Sequence, residues 1–432
     1  MSEGIRLYNL FPLLAGTVND WERHLDRISE MGFNWIFVNP FHTTGASGSL
    51  YAVKDYYELN PLFKGRSRRK ASTLISGFAA AAEKRGLSVM MDLVINHTGI
   101  DSNLTEQHPE WFQHEADGSL HSPFAVDPAD TRKKTVWTDL AAIDYSDRPE
   151  RQEIIDYFAG VVRHYAELGI RGFRCDAAYQ VPAVVWQGIV QAGREAADGA
   201  VFVAENLGGM LEDVQGLRPA GFDYLLNSAK WWDFREGWLL EQYEIFRSIA
   251  PSIAFPETHD TSRLAEDLAS QGVNDPSDME RRCRQAYLFS AVFSAGVMIP
   301  MGYEYGFRRR LHVVNTRPED WEEPTFDLTS FIADVNRMKA SVPVFNEEAS
   351  QRAFAVGDGR IVCLLRCASG GGDWALSMIN TDWGSAATAR ADGLDEDISQ
   401  GREVTPSGES KAFAAGDELT LQPGQVRVFI RK

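Results

Sequence analysis

The segment RPERQEIIDYFAGVVRHYAELGIRGFRCD, residues 148–176, decides the fold. Its first part spaces apolar side chains as a helix does and closes on Gly169, the residue type that most readily takes the left-handed backbone ending a helix. Its second part, Gly172 to Asp176, is a short apolar run that stops on an acid. A helix, a glycine and a short buried strand in succession form the repeating half of a parallel βαβ unit.

Seven further runs of the same kind surround it. They are IRLYNLF (5–11), WIFVNP (35–40), SVMMDLV (88–94), VFVAEN (201–206), FDYLLN (222–227), SIAFPE (252–257) and GVMIPMG (296–302). Helical patterns lie between them, as in DWERHLDRISEMG (20–32), where Trp21, Leu25, Ile28 and Met31 share one stripe and Gly32 closes the helix. Eight strands in this alternation predict an α/β fold, a closed (β/α)8 TIM barrel. The stretch 97–147 is too long for an ordinary connection and predicts a short inserted subdomain after the third strand.

Past the helical TFDLTSFIADVNRMKASV (325–342), the pattern changes to short alternating segments with glycine-rich turns at 357–359 and 370–373. That predicts a carboxy-terminal antiparallel β-sandwich domain. The expected division is therefore a first barrel part at 1–96, the inserted subdomain B at 97–147, a second barrel part at 148–347 and the C-terminal β domain at 348–432.

Composition limits the partners. With 44% hydrophobic residues in 432, the chain can bury a large core. The 61 Asp and Glu against 43 Lys and Arg give a net charge of -18, which argues against nucleic acid or an anionic membrane surface and suits a neutral substrate. The amino terminus lacks the basic start and apolar run of an export signal, so a cytoplasmic location is expected. Cys175, Cys283, Cys363 and Cys367 show no paired spacing, and Cys363 and Cys367 read as small core residues on one strand face.

In such a barrel the reactive side chains stand at the carboxyl ends of the strands. Four ends carry them: DLVINH (92–97), GFRCD (172–176), VAEN (203–206) and FPETHD (255–260). Apolar residues before Asp176, Glu205 and Asp260 place three acids at the mouth, the requirement of a reaction that needs one ionised and one protonated carboxyl. Arg174 lies two residues before Asp176 and so projects to the same side, where its charge would keep Asp176 ionised. Glu205 follows Phe202, Val203 and Ala204, and desolvation there would raise its pKa towards that of a general acid.

These four segments, in this order, resemble the signature regions of the α-amylase family, glycoside hydrolase family 13. The resemblance covers the barrel and implies a retaining glycosidase or transglycosylase acting on α-glucan, maltodextrin or a small α-glucoside, through a covalent glycosyl intermediate. It implies Asp176 as nucleophile, Glu205 as acid/base, Asp260 as third acid, and His97 and His259 as sugar contacts. GSLYAVKDYYELNPLF (48–63) resembles a further family element, with Tyr51 at the position whose ring stacks on the sugar. No cofactor is required on this reading. A structural calcium would involve Asn96 and Asp139, the latter in WTDLAAIDYSD (137–147), while Glu304 in the eighth-strand segment reads as structural.

Two departures bear on specificity: ETHD replaces the Asn-His-Asp of many members, and AAYQVP stands where many endo-amylases carry Lys-His. Hydrolysis and transfer therefore stay open, as do α-1,4 and α-1,6 linkages. The run FRRRLHVVNTRPEDWEEP (307–324), with Arg308 to Arg310, raises the alternative of a phosphate-dependent or maltosyl-phosphate-using glucanotransferase. A non-catalytic sugar-binding protein would require loss of an acid, and all three are present. Trp231, Trp232 and Trp238 read equally as core or as acceptor-site platforms.

Overall fold

The structure is a computed structural model that describes residues 4–127, 130–394, 398, 400–406 and 411–431. The first three residues of the expected first barrel part, residues 128–129 of the inserted subdomain and 395–397, 399, 407–410 and 432 of the C-terminal unit lie outside the described residues. Eight parallel strands form a closed barrel: β1 (Arg6–Leu10), β2 (Trp35–Val38), β3 (Ser88–Leu93), β4 (Gly172–Cys175), β5 (Val201–Ala204), β6 (Tyr224–Leu226), β7 (Ser252–Ala254) and β8 (Gly296–Pro300). Each lies within one of the eight sequence runs, and β8 closes on β1 with Arg6 opposite Val297.

Alternation along each strand separates two apolar layers. Leu7, Phe37, Met90, Val203, Leu226, Ile253, Phe255 and Met298 fill the barrel interior. Their neighbours Tyr8, Ile36, Met91, Phe173, Phe202 and Ile299 face the helices and join the large outer core. Met90 and Phe173 fix the phase: counting on by two from Met90, and by one from Phe173, puts Asp92 and Arg174 inside, just above the apolar plug. The two are also direct partners in the β3–β4 register.

The helix Glu150–Glu167 buries the face carrying Ile154, Ile155, Phe158, Val161, Val162 and Tyr165, and Gly169 follows it at φ 98°. Each such side chain contributes roughly 1.5–3 kcal/mol when fully buried. In the first helical region Trp21, Leu25, Ile28 and Met31 are all buried, as the stripe predicts, although a 3-10 turn at Glu22–His24 interrupts the α-helix. Gly32 closes it at φ 77°.

Between β3 and β4 the chain forms a short strand pair, His97–Gly99 with Leu140–Ala142, a helix at Asn103–Gln107 and a hairpin of Phe124–Asp127 with Asp130–Val136. After the helix Thr329–Ser341, eight strands follow: β9 (Ser350–Val356), β10 (Ile361–Cys367), β11 (Trp374–Asn380), β12 (Ala387–Arg390), β13 (Gln400–Glu403), β14 (Ala412–Ala414), β15 (Glu418–Leu421) and β16 (Val426–Arg431). They make a six-stranded antiparallel sheet, β9-β10-β11-β16-β13-β14, and a pair, β12-β15.

Strand β10 shows how this unit attaches. Ile361, Cys363 and Leu365 point into the sandwich core, while Val362 and Leu364 join the barrel's outer core. The sheet's inner strands β10 and β11 are therefore buried on both faces, while its edge strands β9 and β14 keep one face exposed. One reading is corrected here: Cys363 is buried, but Cys367, at the strand end, is exposed rather than a core residue. All four cysteines are free thiols. Among the described residues, no helix is long and apolar enough to cross a membrane.

Candidate active site

Above the apolar plug, one guanidinium organises the mouth of the barrel. Arg174 Nη1 lies 2.9 Å from Asp92 Oδ1 and 2.6 Å from Asp176 Oδ1, and its Nη2 lies 3.8 Å from Glu205 Oε2. Arg174 and Asp92 are buried, so these charges must satisfy one another. Burial would lower the pKa of Arg174, but the negative charge of Asp92 above all, with Tyr51, Asp176 and Glu205 adding to it, holds it well above the ordinary arginine value. Burial pushes Asp92 up to about 6 against the pull of Arg174.

Tyr51 joins the same network. Its hydroxyl donates to Asp92 Oδ2 at 2.8 Å, accepts from Asn39 Nδ2 at 3.1 Å, and meets His259 Nε2 at 2.8 Å. The single phenolic hydrogen is used on Asp92, so Nε2 of His259 carries the hydrogen in that contact. The same Nε2 lies 3.0 Å from Asp260 Oδ2. The rings of Tyr51 and His259 are nearly parallel, with centroids 6.0 Å apart, and Phe37 lies below His259 at 6.0 Å.

The three acids sit in different surroundings. Burial raises Glu205 to about 7, with Arg174 as the main opposing influence. Its oxygens accept from main chain on both sides, Oε1 from Leu207 N–H at 2.7 Å and Oε2 from Ala177 N–H at 3.0 Å. Asp260 stands at the rim with its side chain 62% exposed. Partial desolvation in the cleft would raise it, but His259 beside it, helped by Arg174 and Arg310, holds it at about 2. Asp176 makes the shortest ion pair of the three, at 2.6 Å to Arg174.

All but one of the predicted site residues therefore fall into a single bonded network: Asp176, Glu205, Asp260, Tyr51, Arg174 and His259. The exception, His97, is buried at the start of the inserted strand pair, and neither of its ring nitrogens has a hydrogen-bond partner. Burial lowers its pKa, with Asp176 and a loose approach to the Tyr51 main chain pulling the other way. Nδ1 of His259 is likewise buried and unpartnered. A buried polar atom without a partner costs free energy unless a ligand supplies one.

The surrounding segments divide into support and rim. Glu257 of the FPETHD segment pairs with Arg263 at 2.8 Å and accepts from Leu264 N–H at 2.6 Å, so it braces the loop rather than facing the cleft. Glu304 is fully buried, accepts from Tyr8 at 2.7 Å and pairs with Arg27. Asn96 donates to Gln180 at 2.8 Å, and the main-chain carbonyl of Asp139 accepts from Ile100 N–H at 2.8 Å. No group of three or more His, Cys, Asp or Glu among the described residues is placed to hold a metal ion.

The basic run is mostly neutralised. Arg308 pairs with Glu266 at 2.7 Å and Arg309 with Asp320, while Arg310 donates to the carbonyl of Asp260 at 2.8 Å. Of the tryptophans, Trp232 is core, packed on Phe234, Phe289 and Phe293, Trp238 is partly buried against the main core, and Trp231 is half exposed with its ring edge on Phe255.

The chain is similar in sequence and in fold to several known proteins. Residues 1–127 match the family model of the glycogen debranching enzyme glucanotransferase domain. An α-1,4-glucan:maltose-1-phosphate maltosyltransferase of Burkholderia pseudomallei is 25% identical over 83% of this chain and 31% of its own length. The α-amylase MalA of Haloarcula japonica is 23% identical over 94% of this chain and 58% of its own. The chain thus spans between about a third and three fifths of the curated relatives it matches. Among solved structures, an α-amylase from Lactobacillus plantarum superposes with a TM-score of 0.77, covering 100% of this chain and 99% of that one at 20% identity.

Proposed function

We propose that the chain, a member of the α-amylase family by its relatives, its fold and its strand-end segments, is a retaining enzyme acting on α-linked glucosides. The observation that carries this reading is the convergence of Asp176 and Glu205 on one guanidinium, Asp176 bonded to Arg174 at 2.6 Å and Glu205 standing 3.8 Å from it and raised by burial to about 7. Glycoside cleavage requires one carboxyl that attacks as an ion beside another that gives a proton.

In the first step Asp176 attacks the anomeric carbon while Glu205 gives its proton to the departing glycosidic oxygen. The result is a covalent glycosyl ester on Asp176. In the second step Glu205, now a carboxylate, takes a proton from water or an acceptor hydroxyl that displaces Asp176. The unpartnered nitrogens of His97 and His259 and the exposed carboxylate of Asp260 supply the polar contacts for the sugar hydroxyls. Tyr51, whose hydroxyl is anchored, offers its ring to the sugar's apolar face.

Both relatives described above inform the acceptor. One is named for transfer of maltosyl units from maltose 1-phosphate and the other as an amylase, so α-glucan, maltodextrin or a maltosyl phosphate is the substrate class we propose. Phosphate use is the second reading. Arg310, the one member of its arginine triplet with no carboxylate partner among the described residues, donates to the Asp260 carbonyl at the rim and is the observation that supports it. The test is product analysis on α-1,4- and α-1,6-linked glucosides and maltose 1-phosphate, with and without phosphate or acceptor sugars, beside Asp176→Ala. Full turnover by that variant refutes the mechanism, and inactivity of the unaltered protein on every α-glucoside refutes the substrate class.

A further inference from the structure

Ala177, immediately after Asp176, has φ 42° and ψ 45°. Only one other non-glycine residue among those described, Phe234, has positive φ. A residue with a Cβ is disfavoured in left-handed backbone and stays there only where its surroundings hold it. Here they do: Asp176 N–H bonds Leu93 O at 3.1 Å, Ala178 N–H bonds Glu205 O at 2.9 Å, and Gln180 N–H bonds Ala177 O at 2.9 Å. The consequence of the turn is that the N–H of Ala177 faces Glu205 Oε2 at 3.0 Å instead of running along the strand. Leu207 closes the other side, its N–H 2.7 Å from Oε1.

We infer that Ala177 is a positioning residue, whose strained backbone and the Leu207 main chain form a two-donor cradle for the Glu205 carboxylate in the step where negative charge reaches it. The inference rests on Glu205 being the acid/base. In the first step the bond from C1 to the glycosidic oxygen breaks with its electron pair going to oxygen. Asp176 bonds to C1, and the Glu205 proton passes to the leaving oxygen. One negative charge is thereby lost at Asp176 and gained at Glu205. Donors already aimed at both Glu205 oxygens stabilise that charge without reorganisation, in the manner of an oxyanion hole. They also oppose the desolvation that favours the protonated form, so the acid is not trapped neutral.

The test removes the N–H while keeping the side chain. Ala177→lactic acid, an amide-to-ester replacement made by nonsense suppression, keeps the methyl group and deletes the donor. On a glucoside with a poor leaving group, kcat/KM is expected to fall by about tenfold or more. The alkaline limb should rise by about one pH unit. Ala177→Gly, which keeps the N–H and suits positive φ, should leave the limb in place. A 13C titration of the Glu205 carboxyl in the substrate-free protein reads the cradle directly and should show the same upward shift. Leu207→leucic acid, outside the strained turn, should shift it in the same direction. Unchanged Glu205 titration in both ester variants overturns the inference. Absence of glucoside cleavage by the unaltered protein would sink the functional reading and leave the titration to decide the cradle.

Discussion

Replacing Arg174 by Gln tests the electrostatic core of the site most directly. Its Nη2 is 3.8 Å from Glu205 Oε2, and two unit charges at that distance in an effective dielectric near 20 interact by about 4 kcal/mol, or about 3 pKa units. Water and the Gln amide will replace part of that, leaving an expected rise of about one to two units. Glu205 starts at about 7 and must be protonated to assist the leaving group. Raising its pKa therefore extends the acid form, and the alkaline limb of kcat/KM should move from about 7 to roughly 8–9 on that same estimate. The assay is a pH–rate profile on an alkyl α-glucoside, whose poor leaving group makes protonation necessary. The maximal rate should fall sharply, because Asp92 and Asp176 lose their shared partner, while Arg174→Lys, which keeps the charge, should hold the limb near its original place. An alkaline limb that stays at about 7 in Arg174→Gln refutes the reasoning, since either the limb does not report Glu205 or the guanidinium does not bear on it.

Three other outcomes follow from the same structure. Because Glu205 moves from 4.5 to about 7 on folding, the folded protein binds the extra proton and loses stability as pH rises through that window; denaturant titrations should show Glu205→Gln gaining on the unaltered protein by about 3 kcal/mol between pH 4 and pH 8. Glu304→Gln leaves Arg27 without its buried partner, so chemical denaturation should report a loss of about 3 kcal/mol while the pH profile of activity keeps its shape. Dialysis against EDTA should change neither the melting temperature nor the activity; a drop in melting temperature reversed by calcium alone would instead locate a structural ion near Asn96 and Asp139.

The barrel was legible because its eight strands are largely apolar runs set between helical patterns, and four of them end on reactive polar residues, a pattern that needs no partner to be recognised. The strand ends carried most of the site for the same reason. Counting in twos from Asp176 finds Arg174, and the register then delivers Asp92 as its neighbour. What escaped were groups with no distinctive side chain or with distant partners. Asn39 follows a strand like any turn residue, yet it orients the Tyr51 hydroxyl. The two N–H groups on Glu205 belong to Ala177 and Leu207, whose side chains say nothing about their main chain. The partners of the arginine run also escaped, because Glu266, 42 residues from Arg308, cannot be paired with it from sequence spacing. Cys367 differs from Cys363 only by standing at the end of the strand, where the neighbouring layer no longer covers it.

The division of labour among the carboxyls can be traced to distance from a single charge. Arg174 touches Asp176 at 2.6 Å and Asp92 at 2.9 Å but reaches Glu205 only at 3.8 Å. Coulomb attraction falls with separation, whereas the cost of desolvation depends on burial alone. Asp92 and Glu205 are both buried, so burial dominates for each, raising Asp92 to about 6 and Glu205 to about 7 against the pull of Arg174. For Asp260, at the rim, the upward push of desolvation is outweighed by His259 3.0 Å away, with Arg174 and Arg310 helping. Arg174 and Asp176 share a face because β4 alternates, and Glu205 stands farther off because it belongs to the next strand. The order of charge along the mouth is thus a product of barrel geometry, and a substitution that lengthened the Arg174–Asp176 contact without removing either group would be expected to blur the acid and nucleophile roles together.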